Sequence, residues 1–170
     1  MNRLIRYLPV QAKYSHNSVL MKKDITDVRP VISEGYNFRL ANQNDIDSII
    51  AHSEALVSKV YRNRLDHGDK CYCLLRGQEI VSYNWVRTSS CCVLCGFSQG
   101  LEFFPLRKGQ AFIYDFYTYK VYRSQGLGTI IKHELLQYLA NQGIREVYTV
   151  VMPCNTISMK INLKLGYTPL

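Results

Sequence analysis

The stretch QAFIYDFYTYKVYRSQGLGTIIKHELLQYLAN, residues 110–141, constrains the fold more than any other. Apart from Asp115, residues 112–118 are aromatic or β-branched, and they contain no glycine or proline, which is strand composition. Arg123-Ser124-Gln125-Gly126-Leu127-Gly128 follows, and from Thr129 an apolar series (Ile130, Ile131, Leu135, Leu136, Leu139) recurs at helical spacing. A strand entering a glycine turn at a helix N-terminus is a device for holding an anion. The glycines let the backbone approach closely, and unpaired N–H groups face the charge. Taken alone, two glycines make only a turn, so the rest of the chain has to decide.

With 170 residues, the chain is one domain's worth and long enough to bury a substantial core. Its 47% apolar and 20% charged residues are globular values. The formal charge of +8 invites a polyanionic partner, but the basic residues are scattered. Scattering favours a local anion site over a nucleic-acid stripe. No apolar stretch approaches membrane-spanning length and residues 1–20 lack a signal-peptide core, so the expectation is a cytoplasmic enzyme. The six cysteines, Cys71, Cys73, Cys91, Cys92, Cys95 and Cys154, are read as free thiols rather than disulfides. A zinc site on the CxC and CxxC pairs is disfavoured, because Cys71 and Cys73 alternate along a strand; no metal is expected.

In chain order, residues 1–34 form an extension without clear patterning, expected to pack on the domain or to add an edge strand, and residues 35–170 a domain. Residues 35–40 alternate as a strand, and Asn42 with Asp45 has capping-box spacing. One helical region follows, with Ile46, Ile49, Ile50, Leu56, Val57 and Val60 as its buried stripe and Gly68 at its end. Residues 70–75 and 80–88 are strands joined by a short hairpin. Residues 89–109 read as a binding loop or a further strand. Beyond the opening stretch, Gly143 closes its helix, and residues 146–152 form an apolar strand suited to the centre of a sheet. Residues 155–164 make a last helix. The predicted class is mixed α/β: a central mixed sheet, antiparallel in its first half, with a parallel pair and crossover helix in its second.

Arg123-Ser124-Gln125-Gly126-Leu127-Gly128 matches the R/Q-x-x-G-x-G/A signature of the GNAT superfamily of acyl-CoA-dependent N-acyltransferases. Asn155-x-x-Ser158, followed by Lys164-Leu165-Gly166-Tyr167, resembles that family's second motif, and Phe38-Arg39-Leu40-Ala41 with Asp45-Ile46 resembles its first strand and helix. Two motifs at the expected separation, on the expected elements, make the resemblance specific over about residues 36–170.

The resemblance implies acetyl-CoA, or another acyl-CoA, as co-substrate. Its pyrophosphate would lie on the N–H groups of Gln125, Gly126, Leu127, Gly128 and Thr129, with Arg123 or Ser124 adding contacts. The strand at Phe116, Tyr117 and Thr118 would splay from residues 147–151 and admit pantetheine, while Asn155 and Ser158 would meet the cofactor arm and Lys132 or another base its 3′-phosphate. Acyl transfer to a primary amine needs a neutral amine, a stabilised oxyanion and a leaving thiolate. Asp115 is a candidate base or a structural carboxylate, and a water held by Tyr114 or Tyr117 is the alternative. Where the family often carries a tyrosine acid, seven positions after the motif asparagine, this chain has Asn162. An amide cannot donate a proton as an acid, which leaves Tyr167, another tyrosine or solvent. The leading expectation is an N-acetyltransferase acting by direct attack in a ternary complex on a small-molecule or protein amine. The alternative is a non-catalytic acyl-CoA-binding or interaction module. Because the family continues with a further strand beyond the position of Leu170, the extension or a second copy is expected to cover that sheet edge, which makes a homodimer a possible partner.

Overall fold

The computed structural model describes residues 18–28, 34–53, 55–89, 93–94, 101–102 and 105–170. Its nine strands are β1 (Val19–Asp24), β2 (Asn37–Leu40), β3 (Lys70–Arg76), β4 (Glu79–Arg87), β5 (Val93–Leu94), β6 (Leu101–Glu102), β7 (Gln110–Thr118), β8 (Glu146–Val151) and β9 (Thr168–Pro169). Four α-helices accompany them: α1 (Gln43–Ala51), α2 (Ala55–Asp66), α3 (Leu127–Asn141) and α4 (Thr156–Lys164). Seven strands form one mixed sheet in the order β2-β3-β4-β7-β8-β1-β9; β5 and β6 pair separately. The β7–β8 pair is parallel and every other pair antiparallel. The α/β class read from the residues is therefore the observed one.

Each face of the sheet buries its own cluster. On one, Ile46, Ile49 and Tyr61 of α1 and α2 pack on Cys73, Trp85, Phe112 and Tyr114. On the other, Leu135, Leu136 and Leu139 of α3 pack on Ile113, Val147 and Met21. Alternation along β7 accounts for the division, since neighbouring side chains point to opposite faces.

Two elements differ from the sequence reading. The single helical region is two helices. Ser53 turns back on α1, its Oγ donating to Ile49 O at 2.7 Å, and such back-bonding competes with helix continuation. The Asn42–Asp45 capping box that opens α1 is present. The second difference is the place of β1: the extension supplies a strand, but one inside the sheet rather than at its edge. It pairs with β8 along Val19↔Val151 to Asp24↔Glu146, and its other side receives β9 at Met21↔Pro169 and Lys22↔Thr168. Its apolar face, Met21 above all, is what the sheet core accepts. Cys71 and Cys73 are buried free thiols and Cys154 is an exposed one; the CxxC lies outside the described residues.

Candidate active site

The parallel pair opens. β7 bonds β8 only at Gln110↔Glu146, Ala111↔Val147 and Phe112↔Tyr148, while β7 itself runs on to Thr118. Beyond Phe112 the β8-facing edge of β7 has no strand partner among the described residues, leaving backbone donors and acceptors in an opening between the strands. Such groups require another partner, which an extended ligand arm with amides supplies.

The same segment carries a bulge. Trp85 pairs with Tyr114 and Tyr83 with Tyr117, so β7 spends one residue more than β4 between these pairs. The extra residue centres on Asp115, whose φ of 49° lies in the left-handed region that aspartate tolerates better than most side chains. As a result Tyr114 and Asp115 both face α2, and Phe116 turns to the α3 side.

At the end of β7 the chain passes a short 3-10 turn, Lys120–Tyr122, and reaches the glycine turn. Ser124 and Gly126 are left-handed, at φ 63° and 76°. Gly126 is the N-cap of α3 and offers no side-chain cap, so the first N–H groups of the helix remain open to an anion. Thr129 N already donates to Gly126 O at 2.9 Å, which leaves Gln125, Gly126, Leu127 and Gly128 as the nearer donors. Gly128 has a different reason to be glycine. A Cβ there would sit 2.8 Å from Phe116 Cζ and 3.1 Å from Ile161 Cδ1, so its absence lets α3 close on β7 and α4. Arg123 folds back, its Nε donating to Thr118 O at 3.0 Å and its guanidinium lying 5.5 Å from the Tyr117 ring centre. Gln125 is exposed at the turn, its side chain donating to Val121 O.

Opposite the turn, Asn155 caps α4 by accepting from Ser158 N at 3.1 Å, and Ser158 Oγ lies 3.5 Å from Asn162 Nδ2. Asn162 is wholly buried and accepts at 2.7 Å from Lys132 Nζ. Lys132 therefore points inward, not toward solvent as a 3′-phosphate ligand would; its place in the packed face of α3 turns it there. Burial alone lowers its pKa to about 7.

On the α1–α2 side lies a cavity of about 680 Å³, lined among others by His52, Tyr61, Tyr83, Asp115, Tyr117 and Tyr119. Asp115 accepts from Arg64 Nη1 at 2.6 Å. The Arg64 guanidinium is buried and enclosed by the rings of Tyr61, Trp85 and Tyr114, 5.0, 5.3 and 4.8 Å away. Tyr114 donates to Asp69, which also pairs with Arg87; burial, with Asp69 beside it, pushes the phenol well above its ordinary range. Tyr61 and Tyr83 share a hydrogen bond at 2.9 Å. Tyr117 stacks on Tyr83 at 5.5 Å and remains at the cavity wall. Thr118 hydrogen-bonds Ser82 at 3.0 Å. Tyr167 is buried in the α3-face cluster, where burial raises its pKa.

Asp115, Tyr117 and Phe116 thus meet at the bulge, and Asn162 joins Phe116 through Lys132. Tyr114 is committed elsewhere, to Asp69. The partners Arg64 and Asp69 escaped the reading of the residues, and Lys132 was read as a 3′-phosphate contact rather than as the partner of Asn162. Only Lys132 carried a local signal, a cation in the apolar series of α3.

Comparisons with known proteins agree with this geometry. Residues 41–167 match the model of the acetyltransferase (GNAT) family. Among solved structures, a putative GNAT-family acetyltransferase from Novosphingobium aromaticivorans superposes with a TM-score of 0.61 at 14% identity, over 91% of this chain and 60% of that one. The GCN5-related glucosamine N-acetyltransferase region of a fungal multi-domain GH3 beta-N-acetylglucosaminidase gives 0.69 at 13% identity, over 97% and 22%. AAC(6')-Iy, in complex with the bisubstrate analogue CoA-S-monomethyl-acetylneamine, gives 0.57 at 15%, over 78% and 90%. The chain spans between about a fifth and two-thirds of the length of the first four solved chains it resembles. No curated protein matches by sequence.

Proposed function

Because the chain belongs to the acetyltransferase (GNAT) family, we propose that it transfers an acetyl group from acetyl-CoA to a primary amine by direct attack in a ternary complex. The observation that carries this reading is the opening of β7 from β8 after Phe112, leading to the uncapped N-terminus of α3. Pyrophosphate fits the N–H groups of Gln125, Gly126, Leu127 and Gly128, with Arg123, Ser124 and Thr129 at the rim. Pantetheine fits the opening, along the backbone of Phe116, Tyr117 and Thr118, and reaches Ser158 and the amide of Asn155. The acceptor enters from the tyrosine-lined cavity on the opposite face.

For the chemistry, a β7 N–H beyond the bulge polarises the thioester carbonyl. Asp115, held by buried Arg64, keeps the bulge in shape rather than taking a proton. The amine proton leaves through a water at Tyr117, since the Tyr114 hydroxyl is engaged by Asp69. Calorimetric titration with acetyl-CoA tests the reading, followed by a screen of small amines and peptides for CoA release. One saturable site and release with at least one acceptor are expected; the absence of acetyl-CoA binding would overturn it. The second reading, a non-catalytic acyl-CoA-binding module, draws on the buried amide of Asn162 and predicts binding without release.

A further inference from the structure

Lys132 stands apart from the other buried cations. Arg64 and Arg87 are each paired with a carboxylate, Asp115 and Asp69. Lys132 is 3% exposed, and among the described residues its partners are only the Asn162 amide oxygen, at 2.7 Å, and the Phe116 ring, whose centre is 5.3 Å from Nζ. A buried ammonium without an anion is costly, and a methionine or leucine would pack there at less cost. Its position supplies a reason. Phe116 belongs to the part of β7 that has left β8, and Asn162 to the helix that follows β8. The amine therefore lies where β7, α3 and α4 meet, against the ring of a residue in the part of β7 that has left β8.

We propose that Lys132, aimed by Asn162, is the general acid that receives and protonates the sulfur of CoA as it departs. This rests on the acetyl-transfer reading above. The acceptor nitrogen forms its bond to the thioester carbonyl carbon, the C–S bond breaks with its electron pair going to sulfur, and a proton moves from Lys132 Nζ to that sulfur. The amide nitrogen loses its extra proton to water, and neutral Lys132 regains one from solvent. Asn162 accepts from Nζ and cannot itself supply or remove the proton, so it is a positioning residue. With its pKa lowered to about 7 by burial alone, the amine is a stronger acid than a thiol at ~8.5, and transfer to the thiolate runs downhill.

The test uses the full chain, calorimetry for CoA binding, and steady-state kinetics against pH with an acceptor from the screen. Wild-type kcat is expected to fall as pH rises through about 7, where Lys132 loses its proton. Lys132→Met and Lys132→Gln are expected to bind CoA, to lower kcat about tenfold or more while leaving KM for acetyl-CoA within about twofold, and to lose that alkaline limb. The glutamine variant keeps a hydrogen bond to Asn162 and isolates the charge. Variants that bind CoA and keep the wild-type kcat and pH profile would overturn the proposal. So would variants that lose stability and CoA binding together, which would make Lys132 a packing residue. Failure of the wild-type protein to bind CoA at all would instead overturn the acetyl-transfer reading.

Discussion

Gly128 and Phe116 set the clearance with which α3 packs on β7 behind the glycine turn. Replacing Gly128 with alanine puts a methyl group 2.8 Å from the Phe116 ring and 3.1 Å from Ile161, and one of them must move. The expected cost is about 1–3 kcal/mol, read as a lower midpoint in thermal or urea denaturation, with weaker acetyl-CoA binding because α3 can no longer close on β7. The motif showed that glycine belongs at this position, but not that the neighbour forbidding a side chain is Phe116. Residue-scale features were legible where cause and effect lie within a few positions. The Asn42–Asp45 box is one, because a cap and its third residue are three apart. The partner of Asp115 was not, since Arg64 precedes it by 51 positions and only the folded sheet brings them together.

At the scale of elements, the bulge in β7 joins the opening beside β8 to the tyrosine-lined cavity on the α1–α2 side. It is pinned from α2 by Arg64, whose side chain is 1% exposed against 17% for Asp115. Asp115→Asn tolerates the left-handed backbone but leaves the guanidinium buried without its counter-charge. The expected loss is about 3 kcal/mol in chemical denaturation, and Arg64→Met added to it should recover part of that loss. Were Asp115 a base exposed to the cavity, the substitution would abolish turnover and leave stability nearly unchanged, which separates the two roles. Strands and helices were largely legible from period and punctuation. The division of α1 from α2 was not, because their apolar stripe continues across Ser53 and the break lies in one hydroxyl turning back. The opening between β7 and β8 was likewise invisible to periodicity and came only from resemblance. Both strands carry ordinary strand composition along their whole length.

Across the whole molecule, β1 is held to β8 by backbone pairing and by Lys22, whose ammonium binds Glu146. Glu146 also accepts from Gln110 at 2.6 Å and Tyr148 at 3.0 Å, tying β1, β7 and β8 together. The Lys22 hydrogen bond first, then Gln110, hold its pKa down at about 2 against an ordinary value of 4.5. A depressed folded-state pKa contributes stability that is present above the ordinary value and lost as pH falls toward the folded one. Thermal midpoints should therefore drop between about pH 5 and pH 2, and Glu146→Gln should flatten that drop while lowering the midpoint at neutral pH. The place of β1 also bears on the order of assembly. Lys22 and Glu146 are 124 positions apart, so β1 has to wait for a distant segment before it finds its neighbour. Closing so long a loop costs entropy before any contact rewards it, and such pairings slow folding. While the chain is being synthesised, β1 has neither of its strand neighbours until β8 and then β9 follow.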